Sequence, residues 1–177
     1  TFLVKTFAPE AQGHGVPEVM NAIYHEKGKI RPIVAVIKTL ASAISIGSGG
    51  SIGREGPIAQ IGSAFGSMLS MFVNMPTAQR VILVAAGAGA GIAATFNAPI
   101  GGIAFSIELM LVSIAGRTLL PVGVAVVIAT YISRFFLGVS PMLGHLITPE
   151  DPTIAFNVMG LPITIIFGLL CGACSIL

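Results

Sequence analysis

Charged residues are scarce in this sequence: only 9% of its 177 residues are Asp, Glu, Lys or Arg. A water-soluble domain carries about 25% charged residues, because its surface must be solvated. The mean hydropathy is +0.94, and the stretches 81–107 and 152–177 contain no charged residue at all. Because a membrane-spanning helix needs about 20 apolar residues, the composition excludes a soluble protein and predicts a polytopic membrane protein.

The small net charge and the low number of cysteines exclude further classes of protein. The formal net charge is only +2, so no nucleic-acid partner is expected, and the short basic cluster Lys27, Lys29 and Arg31 is typical of a cytoplasmic loop. Cys171 and Cys174 lie in an apolar segment without a histidine or a second cysteine pair, which favours buried hydrophobic residues over a zinc or redox site. We expect no metal and no cofactor. No signal peptide is recognisable, and we expect the chain to be part of a longer protein.

Glycine and proline divide the apolar segments, and this division predicts an all-α protein with several tilted or re-entrant helices. Helices are expected at about 18–25, 32–46, 57–73, 77–96, 98–113, 119–136 and from 161 onward, with a glycine-rich loop at 47–53 and an extramembrane loop at 138–158. Broken helices at membrane depth are tolerated where they are buried in protein or line a cavity. Gly62 and Gly66, and likewise Gly87 and Gly91, have the four-residue spacing that lets helix backbones approach closely.

Three predicted helix starts share one chemistry, a polar residue or glycine just ahead of a proline. They are Gly13–Pro17 (GHGVP), Gly53–Pro57 (GREGP) and the segment in which Asn97 precedes Pro99 (FNAP). Proline fits the first turn of a helix, where its missing N–H is not needed. The free N–H groups and the positive dipole end of a helix N-terminus bind anions, and transporters aim such ends at anionic substrates. These starts are therefore candidate anion sites.

Arg54 and Glu55 place two charges in the second of these motifs, and charges at membrane depth are expensive. As a structural residue, Glu55 would be satisfied by the amides of its own helix and by Arg54. As a functional residue, its carboxylate would compete with an anion for those amides. Protonation or displacement of Glu55 would then open the site and link anion movement to proton binding. We favour the functional interpretation.

The remaining acids and histidines are less informative. Glu108 is expected near a helix C-terminus, either as a structural acid or as a group that takes part in proton movement. His14 lies between two glycines at a helix start, where it can cap the helix, contact an ion or face water. His25 and His145 are expected in loops.

Two other functional classes, a nucleotide-binding protein and an intramembrane enzyme, find little support. Ile52 and Ile92 stand where a G-x-G-x-x-G motif requires its third glycine, and no Gly-Lys-Ser/Thr completes a phosphate-binding loop. The sequence also lacks the histidine pairs, paired carboxylates or Ser/His/Asp grouping that an intramembrane enzyme would need, so we expect no enzyme. A non-transporting membrane subunit, in which Glu55 would be dispensable, is the remaining alternative.

The segments Gly13–Pro17, Gly53–Pro57 and Gly91–Gly102, in this order and spacing, resemble the CLC family of chloride channels and chloride/proton exchangers. The second segment matches the GREGP signature of the family, and the first resembles its GSGIP motif. The resemblance implies a CLC-type inverted-repeat fold, of which residues 1–177 would form helices D to J, mainly the first repeat. It also implies one transmembrane domain without a separate soluble domain.

The resemblance assigns roles to the first two motifs. Glu55 falls on the gating glutamate of the family, and the backbone amides of Arg54, Glu55 and Gly56 fall on groups that hold the anion. His14 and Gly15 fall on the other anion-binding motif, where relatives carry a serine in place of His14. A neutral imidazole can still donate one hydrogen bond, and a protonated one attracts anions more strongly.

The resemblance further implies a homodimer in a lipid bilayer, in the inner membrane of a prokaryote, that moves chloride alone or together with protons. Ile100, Ile103 and Ile107, at helical spacing, are the candidate residues of the dimer contact. Exchangers of the family place a second acid directly after the glutamate that matches Glu108, and Leu109 stands there instead. Leu109 favours channel-like behaviour and leaves the exchanger open. The remaining pore residues are expected beyond Leu177.

Overall fold

The computed structural model describes residues 2–51, 53–111 and 116–138, all within one compact unit, Thr1–Met142. The described helices are α1 (Phe2–Phe7), α2 (Val16–Tyr24), α3 (Pro32–Gly47), α4 (Glu55–Phe72), α5 (Thr77–Phe96), α6 (Pro99–Phe105) and α7 (Gly116–Leu137). A 3-10 turn at Pro9–Ala11 precedes α2, and a π-helical turn at Ser106–Met110 continues α6. The predicted loop beyond Gly138, the predicted helix from residue 161, His145, Cys171 and Cys174 lie outside the described residues.

The predicted all-α fold is confirmed. Helix α5 has the predicted bounds, and α3 and α4 begin and end within two residues of the prediction. Helix α2 begins earlier than expected, α7 begins earlier and tolerates Pro121 in its first turns, and the six-residue helix α1 was not predicted.

The helix predicted over 98–113 is present from Pro99 to Met110, but it is not α-helical throughout. Helix α6 has only seven residues, and the chain then widens into the π-helical turn. The hydroxyl oxygen of Ser106 lies 3.1 Å from the carbonyl oxygen of Gly102 and 2.9 Å from that of Ala85, and its single proton is shared between them. A hydroxyl that bonds to the backbone of the preceding turn competes with the regular helical pattern, and this one also ties the turn to α5.

Close packing between α4 and α5 rests on the predicted pairs of small residues. A methyl group added at Gly62 would overlap the carbonyl oxygen of Gly87, and one added at Gly66 would overlap that of Leu83. At Gly91 a methyl group would lie 2.9 Å from the carbonyl oxygen of Ile58. The four-residue spacing of the glycines therefore does bring the two helix backbones together, as expected for apolar helices.

Serine hydroxyl groups reinforce this packing. Ser63 on α4 donates to the carbonyl oxygen of Val84 on α5, at 3.1 Å, and Ser133 on α7 donates to that of Ala94 on α5, at 2.7 Å. In an apolar environment such bonds hold helices together, because an unpaired polar group there is costly. Helix α5 is therefore the central element, packed against α4, α6 and α7.

Two of the described helices, α5 and α7, are long and apolar enough to cross a membrane. Helix α7 keeps a broad apolar face uncovered: Leu120 is 70% exposed, Tyr131 72% and Phe135 78%. An uncovered apolar face of this size is typical of a surface that contacts lipid or another apolar segment.

The connection from α5 to α6 explains the third proline motif. Asn97 ends α5 in the left-handed conformation, with φ 54°, which asparagine tolerates better than most residues. Ala98 lies outside the helical conformation, with φ −124° and ψ 77°, and Pro99 opens α6, because the residue before a proline avoids the helical conformation. The predicted helix start at Pro99 is confirmed.

Candidate functional site

The starts of α2 and α4 meet backbone to backbone. A methyl group added at Gly56 would overlap the carbonyl oxygen of His14, and one added at Gly15 would overlap the carbonyl oxygen of Gly56. Gly13 and Gly15 have φ values of 108° and 107°, which other residues rarely adopt. The glycines of the two motifs, far apart in sequence, are therefore what allows the two helix N-termini to converge.

A cavity of about 480 Å³ lies at this convergence. Residues of both motifs line it, together with polar and basic side chains of α1 and α3. Its lining includes Lys5, Gly13, His14, Lys38, Ser42, Ser45, Gly53, Glu55, Gly56 and Pro57. The first two motifs, which the resemblance assigns to anion binding, thus lie together at one cavity.

The two helix starts differ in how their amides are satisfied. The N–H of Gly15 donates to the carboxylate of Glu18, at 2.6 Å, a capping arrangement within α2. The amides of Glu55 and Gly56 find no acceptor among the described residues, since no side chain caps α4. The start of α4 therefore offers unpaired N–H groups to an incoming acceptor, whereas Gly15 is engaged as long as Glu18 holds it.

Glu55 has an exposed side chain at the mouth of this cavity. Its carboxylate folds back over Gly53, where a methyl group would overlap it. Nothing in the described part of the chain forms a hydrogen bond or an ion pair with it. The structural interpretation, in which Arg54 satisfies Glu55, is wrong here, because the Arg54 guanidinium lies over the ring of Phe96 instead.

Lys38 is a residue of the site that the sequence reasoning missed. It is only 5% exposed, and its ammonium group donates to the carbonyl oxygens of Ala11 and Gly13, both at 2.9 Å. Lys38 therefore holds the loop that leads into α2 and places a buried positive charge beside the cavity. The available signal was a lone lysine in the apolar segment 32–46, since charges at membrane depth are rarely without a function.

A second set of contacts, all made to Glu10, also holds the loop that leads into α2. Arg31 forms a two-pronged ion pair with Glu10, with 2.8 Å between Nη2 and Oε2. The hydrogen bond with Arg31 is the main reason that the pKa of Glu10 lies below its usual range. The amide of Gln60, on α4, donates to the backbone carbonyl of Glu10, at 3.1 Å. One of the three expected loop cations thus has a structural role.

The other predicted residues lie elsewhere. Asn97 and Pro99 do not line this cavity; Asn97 instead accepts a hydrogen bond from Arg134, at 2.6 Å. Ile100 is 83% exposed, whereas Ile103 and Ile107 are half-buried against the chain's own core. Glu108 and Leu109 are both exposed on the π-helical turn. The part of the chain described here contains no group of three or more acidic, histidine or cysteine side chains placed to hold a metal ion.

Interrupted apolar helices whose N-termini meet at a cavity lined by charged and apolar residues are typical of all-α integral membrane proteins with discontinuous helices. The chain belongs to the voltage gated chloride channel family, whose model matches residues 1–177. The resemblance drawn from the three motifs is therefore confirmed.

Individual relatives agree with this assignment. The chain is 38% identical over 154 residues to the H(+)/Cl(-) exchange transporters ClcA of Citrobacter koseri and Salmonella arizonae, a match that covers 80% of this chain and 31% of each relative. A crystal structure of a slow cyanobacterial Cl-/H+ antiporter superposes with a TM-score of 0.78 at 29% identity, covering 98% of this chain and 40% of the antiporter. The chain thus spans less than half the length of these relatives.

Proposed function

We propose that this chain is part of a protein that transports chloride, or a similar monovalent anion, along a pathway gated by Glu55. The observation that carries the proposal is the unpaired carboxylate of Glu55 at the mouth of a cavity where two helix N-termini converge beside Lys38. The relatives, which are named as chloride and proton exchangers, support chloride as the substrate. No cofactor is part of the proposal.

The gating step follows from competition between two anions. The carboxylate of Glu55 and a halide ion are both small and monovalent, so the bare amides of Glu55 and Gly56 suit either one. With the carboxylate charged and seated at the cavity mouth, the pathway is closed to anions. Protonation removes the charge of the carboxylate, and displacement removes the side chain itself, so that the anion takes its place. The Arg54 amide and His14 complete the proposed anion contacts, and Gly15 joins them only where Glu18 releases it.

Proton coupling is the finer part of the proposal. The names of the relatives favour exchange of protons for chloride, whereas Leu109, where an acid would be expected, favours a passive channel. A Glu55 that must bind a proton each time it gives way to an anion would itself move protons in exchange for the anion. We therefore propose exchange as the mode of transport, with a passive channel as the second candidate.

The full-length protein, reconstituted into liposomes with a fixed chloride gradient, tests both points. Under exchange, the reversal potential shifts when a pH gradient is imposed, and in Glu55→Gln this shift disappears while chloride still passes. Glu26→Gln is a matched control, because Glu26 is an acid outside the cavity and should leave the shift unchanged. A potential that stays at the chloride equilibrium value marks a passive channel. Unchanged gating in Glu55→Gln would remove Glu55 from the mechanism.

The assembly remains a proposal as well. We propose a homodimer in the inner membrane of a bacterium, since the ClcA relatives are bacterial, with residues 1–177 in one transmembrane domain. The 83% exposure of Ile100 supports its place in the subunit contact. Ile103 and Ile107, which are half-buried in their own subunit, would pack behind it. Cross-linking of a cysteine placed at Ile100 in the full-length protein tests this, and failure to form a covalent dimer counts against this contact.

A further inference from the structure

His14 is the only histidine on the described lining of the cavity at the two helix starts. Its side chain is exposed, and it has no hydrogen bond to any described residue. Its backbone is fixed on both sides by the left-handed glycines Gly13 and Gly15, and its carbonyl packs against Gly56. A side chain that can gain and lose a proton is thereby held in the same cavity as Glu55.

The charges around His14 come from each of the first four helices. Lys5 on α1, Lys38 on α3 and Glu55 on α4 line the cavity with it. Glu18 on α2 lies just beyond, occupied by the amide of Gly15. The N-termini of α2 and α4 add positive partial charge to the two lysines. The surroundings of His14 are therefore positive, and an anion in the cavity would face the two lysines and the two helix N-termini together with the imidazole.

We propose that His14 is a titrating anion ligand, so that proton binding to its imidazole and anion binding in the cavity strengthen each other. Imidazole is the side chain that ordinarily changes charge between pH 5 and 8. Coupling between two sites is reciprocal, so the bound anion favours the proton by the same factor by which the proton favours the anion. The proposal rests on the proposed anion function of this cavity and adds a second proton site, separate from Glu55.

The test isolates His14 from Glu55. Chloride binding to the full-length protein is measured by titration calorimetry at pH 5.5 and pH 8 in the Glu55→Gln background. We expect chloride to bind more tightly at pH 5.5, by a factor within the range of about 5- to 150-fold that is usual for coupled sites. Adding His14→Asn, which keeps a hydrogen-bond donor but does not titrate, should abolish the difference. Adding His25→Gln instead should preserve it, because His25 lies outside the cavity.

The outcomes separate the inference from the function on which it rests. Chloride that binds equally well at both pH values in Glu55→Gln overturns the role of His14 and leaves the anion site intact. Chloride that binds at neither pH, in the native protein or the variant, overturns the proposed function itself. If His14→Asn does not fold, proton uptake on adding chloride to weakly buffered Glu55→Gln protein provides a second measurement. Proton uptake supports the proposal, and its absence overturns it.

Discussion

The guanidinium of Arg54 lies over the aromatic ring of Phe96, with 5.5 Å between its central carbon and the ring centroid. This contact joins the residue that precedes α4 to the last residue of α5. It also holds the Arg54 guanidinium away from the carboxylate of Glu55, although the two residues are adjacent in sequence. The carboxylate is therefore left without a partner among the described residues and is available to whatever enters the cavity.

Loss of the Phe96 ring should return Arg54 to Glu55. A cation–π contact contributes about 0.5–2 kcal/mol, depending on how far it is desolvated. In Phe96→Leu we expect a comparable loss of stability and a shift of the pH for half-maximal transport to more acidic values, since a paired carboxylate gives up its charge less readily. Phe96→Tyr, which keeps the ring, should behave as the native protein. Flux measured in liposomes over a range of pH checks this, and an unchanged profile in Phe96→Leu would contradict it.

The position of the Glu55 carboxylate depends on the absence of a side chain at Gly53. A methyl group there would overlap the carboxylate, and a flexible side chain gives way more easily than backbone does. We therefore expect Gly53→Ala to fold normally, to displace Glu55 from the cavity mouth, and to raise chloride flux at neutral pH with a weaker response to acid. Gly47→Ala is the control, because nothing lies within 4 Å of a methyl group at Gly47. Identical pH profiles for both variants would show that Gly53 does not position the gate.

Lys38 should matter for stability as well as for anion binding. Hydrogen bonds from a charged group contribute about 1.5–3 kcal/mol each, and Lys38→Met leaves the carbonyl groups of Ala11 and Gly13 unpaired. We expect Lys38→Met to unfold at a distinctly lower temperature and to bind chloride at least about tenfold more weakly, because a buried charge acts strongly at low dielectric. Calorimetry on the full-length protein measures both quantities. Lys29→Met, at an exposed loop position, should change neither, and equal effects of the two substitutions would argue against a special role for Lys38.

The parts of the site that could be predicted are those that depend on residues close together in the sequence. The motifs at Gly13–Pro17 and Gly53–Pro57 predicted helix starts, because glycine, a polar residue and proline act within a few residues of each other. Their meeting at one cavity came from the family resemblance, not from any local rule. The bonds of Lys38 to a loop 27 residues away and the stacking of Arg54 on Phe96 were missed, because both depend on how separate helices pack.

The same distinction applies to the fold. The bounds of α5 were predictable, because a proline precedes it and Asn97 ends it. The π-helical turn after α6 was not, because local sequence does not reveal the bond between Ser106 and the carbonyl oxygen of Ala85 on another helix. Glycine spacing was a better guide: Gly62 and Gly87 were expected to allow close approach, and each occupies the place where a methyl group would strike the other's carbonyl oxygen.

Acid should weaken the ion pair between Glu10 and Arg31, which holds the loop that leads into α2. Its pKa is held below the ordinary value of 4.5, chiefly by the hydrogen bond with Arg31. The folded state therefore favours the charged form, and the contribution of the ion pair is fully present above pH 4.5 and is lost as the pH falls through the lowered value. We expect Glu10→Gln to lower the unfolding temperature more at pH 7 than at pH 3. Glu26→Gln is the control, and a Glu10→Gln deficit that is equal at both pH values would contradict the linkage.

The packing of α4 on α5 predicts opposite effects of the same substitution at two glycines. At Gly87 a methyl group would overlap the carbonyl oxygen of Gly62, and forcing extra volume into a packed interface typically costs about 1–3 kcal/mol. At Gly123, on α7, nothing lies within 4 Å of the added methyl group, so Gly123→Ala should gain about 0.5–1 kcal/mol from the better helix propensity of alanine. Unfolding temperatures of the full-length protein in detergent should therefore fall for Gly87→Ala and rise slightly for Gly123→Ala. A rise for both would mean that the helix backbones are not in contact at Gly87, and the close approach that positions the start of α4 would have to be abandoned.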